Sequence, residues 1–184
     1  MHGSEDALAQ IPCKRIAGRP APRGLVGGLG MGFSLASALQ HIGKNGQVVV
    51  AELVPGVIEW NRGPLGEKAG MPILDPRAEI RCLDVAEVIK SEPLGFDAIM
   101  LDVDNGPEGL THTGNNWLYS MAGLHACHRA LRPAGILAVW SASADRKFAE
   151  KVGKAGFKVE EVQVYAHGNK GTKHTLWIGS KLKA

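Results

Sequence analysis

Short unbroken apolar runs alternate with stretches of helical spacing along most of this chain. Residues 24–28 (Gly-Leu-Val-Gly-Gly) read as a first strand. Residues 33–42 read as a helix, with Leu35, Ala36, Leu39 and Ile42 at spacings near 3.6 and Gly43 as its stop signal. Residues 47–53 are largely apolar throughout, the pattern of a strand covered by helices on both faces. Strands are predicted again over 79–83, 96–101, 135–141, 157–165 and 174–178, and helices over 57–62, 85–90, 117–131 and 145–155. The last two strands form a hairpin through a Gly/Asn/Lys turn at 167–173. Residues 63–77, with prolines at 64, 72 and 76, read as loop. A short helix over 5–10 and a linker over 18–22 make residues 1–23 an N-terminal extension to one domain over 24–184.

This order specifies a doubly wound α/β fold: a mostly parallel, Rossmann-like, seven-stranded sheet ending in an antiparallel hairpin. Right-handed crossovers place the carboxyl ends of the first four strands along one edge. Ligands bind at that edge, where the strand order reverses.

Composition narrows the picture only slightly. A chain of 184 residues is one domain, able to bury roughly 70% of its unfolded surface. A hydrophobic fraction of 45% and a charged fraction of 21% are ordinary for a soluble protein. The net charge of +3 comes with no long basic block, so no nucleic-acid partner is indicated. Cys13, Cys82 and Cys127 have no CxxC spacing and read as free thiols in a reducing compartment. No apolar run matches a membrane span, and the first 23 residues lack the charge-then-apolar order of a secretory signal. The expected location is the cytoplasm. His125 and His128 lie three apart on one predicted helix without further ligands nearby, so no metal site is expected.

Candidate chemistry gathers at the strand ends. Gly28, Gly30 and Gly32 sit between a strand and a helix, where the backbone turns tightly and a ligand can approach without meeting a Cβ. Glu52 lies twenty residues past Gly32, at the tip of the next strand, where an acid accepts the hydroxyls of a ribose. An adenosine-containing cofactor is therefore expected. Asp84 and Asp102 end the third and fourth strands. The dinucleotide fingerprint GxGxxG is not met, because Phe33 takes its last position, which counts against a nicotinamide reductase. No GxSxG elbow or P-loop is present.

In this order and spacing, the motifs resemble those of the spermidine synthase (polyamine aminopropyltransferase) family within the class I S-adenosylmethionine-dependent methyltransferase fold. Residues 27–32 resemble its glycine loop, Val50-Ala51-Glu52-Leu53 its strand ending in a ribose-binding acid, and Leu83-Asp84-Val85 its adenine-side motif. Phe96-Asp97-Ala98-Ile99-Met100-Leu101-Asp102 resembles its strand ending in the catalytic aspartate, and residues 130–137 the passage that follows. The resemblance implies S-adenosylmethionine or its decarboxylated form as cofactor, held by Gly28, Leu29, Gly30, Gly32, Glu52, Leu53, Asp84, Val85 and Asp102. It implies Asp102 as the catalytic residue and a small acceptor, an amine, near Asp104, Asn105, Asn116 and Trp117. A homodimer is compatible with it.

Three departures qualify the resemblance. The family's N-terminal β-rich domain is not expected in so short a chain. The loop aspartate that faces the amine of a decarboxylated cofactor aligns with Gly30, which removes a negative charge. After Asp102 the chain reads Val103-Asp104-Asn105-Gly106-Pro107 in place of the family's acceptor motif. Aminopropyl and methyl transfer both remain open on the residues, as does a non-catalytic nucleoside-binding module. Each residue also has a plainer role: Glu52 a solvated strand end, Asp84 a helix N-cap, Asp102 a partner of the glycine loop, and Asp104 with Asn105 a turn.

Overall fold

A computed structural model describes residues 3–102, 117–167 and 170–182. The sheet contains β1 (Arg23–Gly27), β2 (Gln47–Ala51), β3 (Ala78–Arg81), β4 (Phe96–Leu101), β5 (Leu131–Ser141), β6 (Phe157–His167) and β7 (Lys170–Lys181). Their spatial order is β3-β2-β1-β4-β5-β7-β6. Strands β1 to β5 are parallel, and β7 runs antiparallel to both β5 and β6. The order reverses between β1 and β4, so a crevice opens beyond their carboxyl ends.

The helices are α1 (Gly3–Ile16), α2 (Phe33–His41), α3 (Pro55–Asn61), α4 (Pro64–Glu67), α5 (Val85–Ser91), α6 (Met121–Ala130) and α7 (Arg146–Lys154). Alternation along the strands feeds two cores. Leu25, Val49, Ile99, Leu137 and Val139 pack with α5, α6 and α7. Val26, Val48, Val50, Met100 and Ala138 pack on the other face with α1 and α2. Both faces of the central strands are therefore buried, which is why they read as continuous apolar runs.

Several boundaries differ from the sequence reading, each for a local reason. Helix α1 spans Gly3–Ile16 rather than stopping near residue 10, and it carries Pro12 inside it. An interior proline costs about 3 kcal/mol. Leu8, Ala9, Cys13 and Ile16 are all buried in the second core, and each large apolar side chain returns roughly 1.5–3 kcal/mol, which outweighs that cost. Helix α6 begins at Met121, not residue 117, because Ser120 caps it by accepting from Gly123 N at 3.2 Å. Strand β5 starts at Leu131, with a register irregularity against β4 and Ala134 at φ 56°. The stretch at 63–77 contains α4 and a 3-10 turn at Pro72–Leu74. Strands β6 and β7 run closer to the hairpin turn than the sequence suggests.

Helix α1 runs opposite to the parallel strands. Its last turn is tied to the start of β6 by Arg15 and Glu160 at 2.8 Å, and its first turn reaches the carboxyl edge of the sheet. The segment before β1 is anchored at the opposite edge. There Arg19 pairs with the buried Asp97 and donates to the carbonyls of Pro133 and Ala134.

Candidate functional site

The turn after β1 carries Gly28, Gly30 and Gly32 in the left-handed region, at φ 86°, 50° and 85°. An L side chain at Gly32 would also bring its Cβ to 3.0 Å from Asn61 Oδ1. At Gly30 a Cβ would meet nothing within 4 Å among the described residues, because the backbone there borders open space. That space is a cavity of about 210 Å³ lined by Glu5, Leu29, Gly30, Met31, Phe33, Ser34 and Asp102.

Glu52, 7% exposed, holds the turn against the tip of β2. Its Oε2 accepts from Leu29 N at 2.8 Å and its Oε1 from Val54 N at 2.9 Å. A carboxylate offers about four lone-pair sites, so two are left unused by these bonds. Glu52 is therefore not a solvated strand end: it is buried and bonded to the backbone on both sides of the crevice edge through both oxygens. Asp84 is likewise the N-cap of α5, its Oδ1 accepting from Ala86 N at 2.8 Å. Its other oxygen has no hydrogen bond among the described residues. Leu53 and Leu83, at the tips of β2 and β3, are 65% and 45% exposed. Val85 buries its side chain in the core, leaving its backbone amide as the group it can offer.

Asp102 follows β4, and its backbone N–H donates to Gly27 O at 3.1 Å. Ser34, in the first turn of α2, donates to Asp102 Oδ2 at 2.7 Å. Burial pushes the Asp102 carboxyl up to about 6, against the lowering effect of the Ser34 hydrogen bond and with a further push from the charge of Glu5. The structure therefore brings Gly28, Leu29, Gly30, Gly32, Glu52 and Asp102 around one turn, with Leu53 and Asp84 on the adjoining strand tips. Trp117 is not among the residues lining the cavity; it packs against the α5–α7 core, with the Lys90 ammonium 4.1 Å from the centre of its ring. Asp104, Asn105 and Asn116 lie outside the described residues.

Three contributors escaped the sequence reading. Asn61, fully buried in α3, donates through Nδ2 to Gly30 O at 2.8 Å and to Val57 O at 2.9 Å, fixing the far side of the glycine turn. An asparagine before Arg62-Gly63 reads as a helix end, so nothing local marks it. Glu5 reaches the cavity only because α1 packs antiparallel to the strands. Ser34 could have been found, since it stands two residues past the last glycine of the turn. Among the described residues no group of three or more His, Cys, Asp or Glu is placed to hold a metal ion. No helix among them is long and apolar enough to cross a membrane.

No family model matches this sequence, and no curated protein matches it. Solved structures share its fold. A spermidine synthase in complex with the transition-state analogue AdoDATO matches 98% of this chain and 59% of its own, at 20% identity and a TM-score of 0.75. The spermidine synthase of Thermotoga maritima matches 98% of this chain and 60% of its own, at 21% identity and a TM-score of 0.77. This is a spermidine synthase-like fold. It is also the class I methyltransferase-type fold: TrmN from Thermus thermophilus matches over 97% of this chain and 48% of its own, at 18% identity and a TM-score of 0.65. The chain spans about 60% of the length of either synthase.

Proposed function

We propose that this chain is a transferase that moves an alkyl group, aminopropyl or methyl, from an S-adenosylmethionine-type donor to a small amine. The observation that carries this reading is the convergence at one sheet edge of the glycine turn, Glu52, Asp84 and Asp102, with a cavity beside Gly30. The fold shared with structures of transferases supports it.

The residues present fit such a donor. The open backbone at Gly30 leaves room for the chain beyond the sulfur. Glu52 keeps lone pairs for the ribose, and Asp84 keeps an oxygen for an exocyclic amine of the base. When bound, the donor supplies an alkyl carbon on a positively charged sulfur that departs as a neutral thioether.

The protein's own task is then positioning and one proton. Holding two reactants in line supplies on the order of 7–11 kcal/mol. An aliphatic amine titrates near 10, so at neutral pH it arrives protonated. Asp102 holds this ammonium, orients it, and accepts a proton as the nitrogen lone pair commits to the new bond. With its carboxyl at about 6 rather than the usual 3.8, the uphill transfer is smaller by about 2 units, roughly 3 kcal/mol at 1.36 kcal/mol per unit. Asp102 nevertheless remains mostly ionised at pH 7, as gripping a cation requires.

Incubating the protein with either donor and a panel of aliphatic amines, and reading products by mass spectrometry, tests the proposal. An alkylated amine is expected. Asp102→Asn is expected to cut turnover by about 10²–10⁴-fold while the affinity for methylthioadenosine, which lacks the charged tail, changes by a few-fold at most. No alkylated product from any donor and amine would overturn the reading.

A further inference from the structure

The cavity beside Gly30 has an unusual charge balance for a site at a helix N-terminus. Among the described residues its lining includes two carboxylates, Glu5 and Asp102, the Ser34 hydroxyl and apolar groups, and no Lys, Arg or His. The first turn of α2 contributes at most about half a positive charge. Two acids against half a charge leave the described lining negative, and its partial enclosure weakens screening by water. Glu5 comes from outside the turn altogether. It is carried in by α1, whose buried Leu8, Ala9, Cys13 and Ile16 lock the helix onto the sheet. Ser4 Oγ donates to Glu5 Oε2 at 2.7 Å and steadies the carboxylate.

We propose that Glu5 is a specificity-determining residue of this cavity: with Asp102 it selects a ligand tail ending in an ammonium group over one that also carries a carboxylate. This rests on the nucleoside-cleft reading above. At about 210 Å³ the cavity is smaller than the 300–1,000 Å³ typical of a whole small-molecule site, so it takes a tail and not the nucleoside. A tail with a lone ammonium can bridge the two acids. A tail that adds a carboxylate brings a third negative charge into the same space, and among the described residues the α2 amides alone oppose it. The glycine turn supplies no acid of its own, since its members are Gly, Leu and Met. Without α1, Asp102 would be the one acid among the described residues of the lining. The push that the Glu5 charge gives the Asp102 carboxyl shows that the two feel each other.

Calorimetry with three nucleosides tests the assignment: decarboxylated S-adenosylmethionine, S-adenosylmethionine, and methylthioadenosine, which lacks the charged tail. The wild-type protein is expected to bind the decarboxylated form about tenfold more tightly than the carboxylated one, the size of one partly screened charge contact. Glu5→Gln keeps the shape and removes the charge. It is expected to abolish most of that preference, leave methylthioadenosine affinity unchanged, and so report an intact fold. Glu5→Asp should retain part of the preference. If all three nucleosides bind and Glu5→Gln leaves their ratios unaltered, or if the wild type prefers the carboxylated form, the role of Glu5 is overturned. If none of the three binds, the nucleoside cleft itself is wrong, and the inference falls with it.

Discussion

At the scale of single residues, Glu52 and Asp84 hold backbone N–H groups of the fold and keep lone pairs that these bonds do not use, which the proposed ligand would take. Asp102 gives a pH signature. Its carboxyl lies at about 6 in the folded protein, above the value near 3.9 of an unfolded chain, so the folded state holds its proton more tightly between those values. Stability from this group therefore falls as pH rises from about 4 to about 6. Thermal midpoints of the wild type and Asp102→Asn, measured across that range, should differ by an amount that changes only there. A flat difference would count against a buried, ionising Asp102. Affinity for a cationic ligand moves the opposite way and should strengthen as pH rises through about 6. Gly32 offers a stability test. At φ 85°, and with Asn61 Oδ1 3.0 Å from a new Cβ, Gly32→Ala should cost about 1–2 kcal/mol in denaturant titration and loosen the turn. An unchanged midpoint would mean that the turn relaxes freely.

At the scale of elements, α1 is the one whose role is least visible in its own sequence. It is a weakly apolar helix interrupted by Pro12, yet it covers β4, β5 and β6 and delivers Glu5 to the strand-tip edge. Leu8 is fully buried there, so Leu8→Ala should destabilise the protein by about 2–5 kcal/mol, read by chemical denaturation. A loss below about 1 kcal/mol would mean that α1 is only loosely docked. Helix α7 provides a contrast in which local signals suffice. Asp145 caps it by accepting from Lys147 N at 2.8 Å and Phe148 N at 3.1 Å. Asp145→Ala should cost about 1 kcal/mol, with no effect on ligand binding, because α7 lies on the opposite face from the cavity.

At the scale of the whole molecule, the two edges of the sheet divide the work. The carboxyl edge holds the cavity and its acids. The amino edge is closed by a charge network centred on Asp97, which is 1% exposed. Asp97 accepts from Arg23 N at 2.7 Å and Arg132 at 2.9 Å, and pairs with Arg19. These contacts join the segment after α1 to β1, β4 and β5, so the network fixes how α1 enters the fold. Breaking a buried charged group from its partners costs about 3–5 kcal/mol, and Asp97→Ala should show a loss of that order in thermal or urea unfolding. A loss no larger than that of a surface charge would mean that water replaces the aspartate there.

The strand runs, the glycine turn and the acids at strand ends were legible because each is a local pattern: periodicity marks burial, left-handed glycine marks a turn, and a carboxylate after an apolar run marks a tip. Gly28, Gly30, Glu52, Asp84 and Asp102 follow from such patterns, and so does the doubly wound sheet that aligns them. The sequence alone thus determined the kind of edge this protein has and most of the residues along it. Tertiary packing decided which other groups reach that edge. Glu5 arrives from 97 positions before Asp102 because burial of one face of α1 outweighs its proline. Asn61 enters because a closed turn needs a donor on its far side. Neither effect leaves a periodic trace, since both arise from contacts between segments whose separation along the chain carries no information about their distance in space.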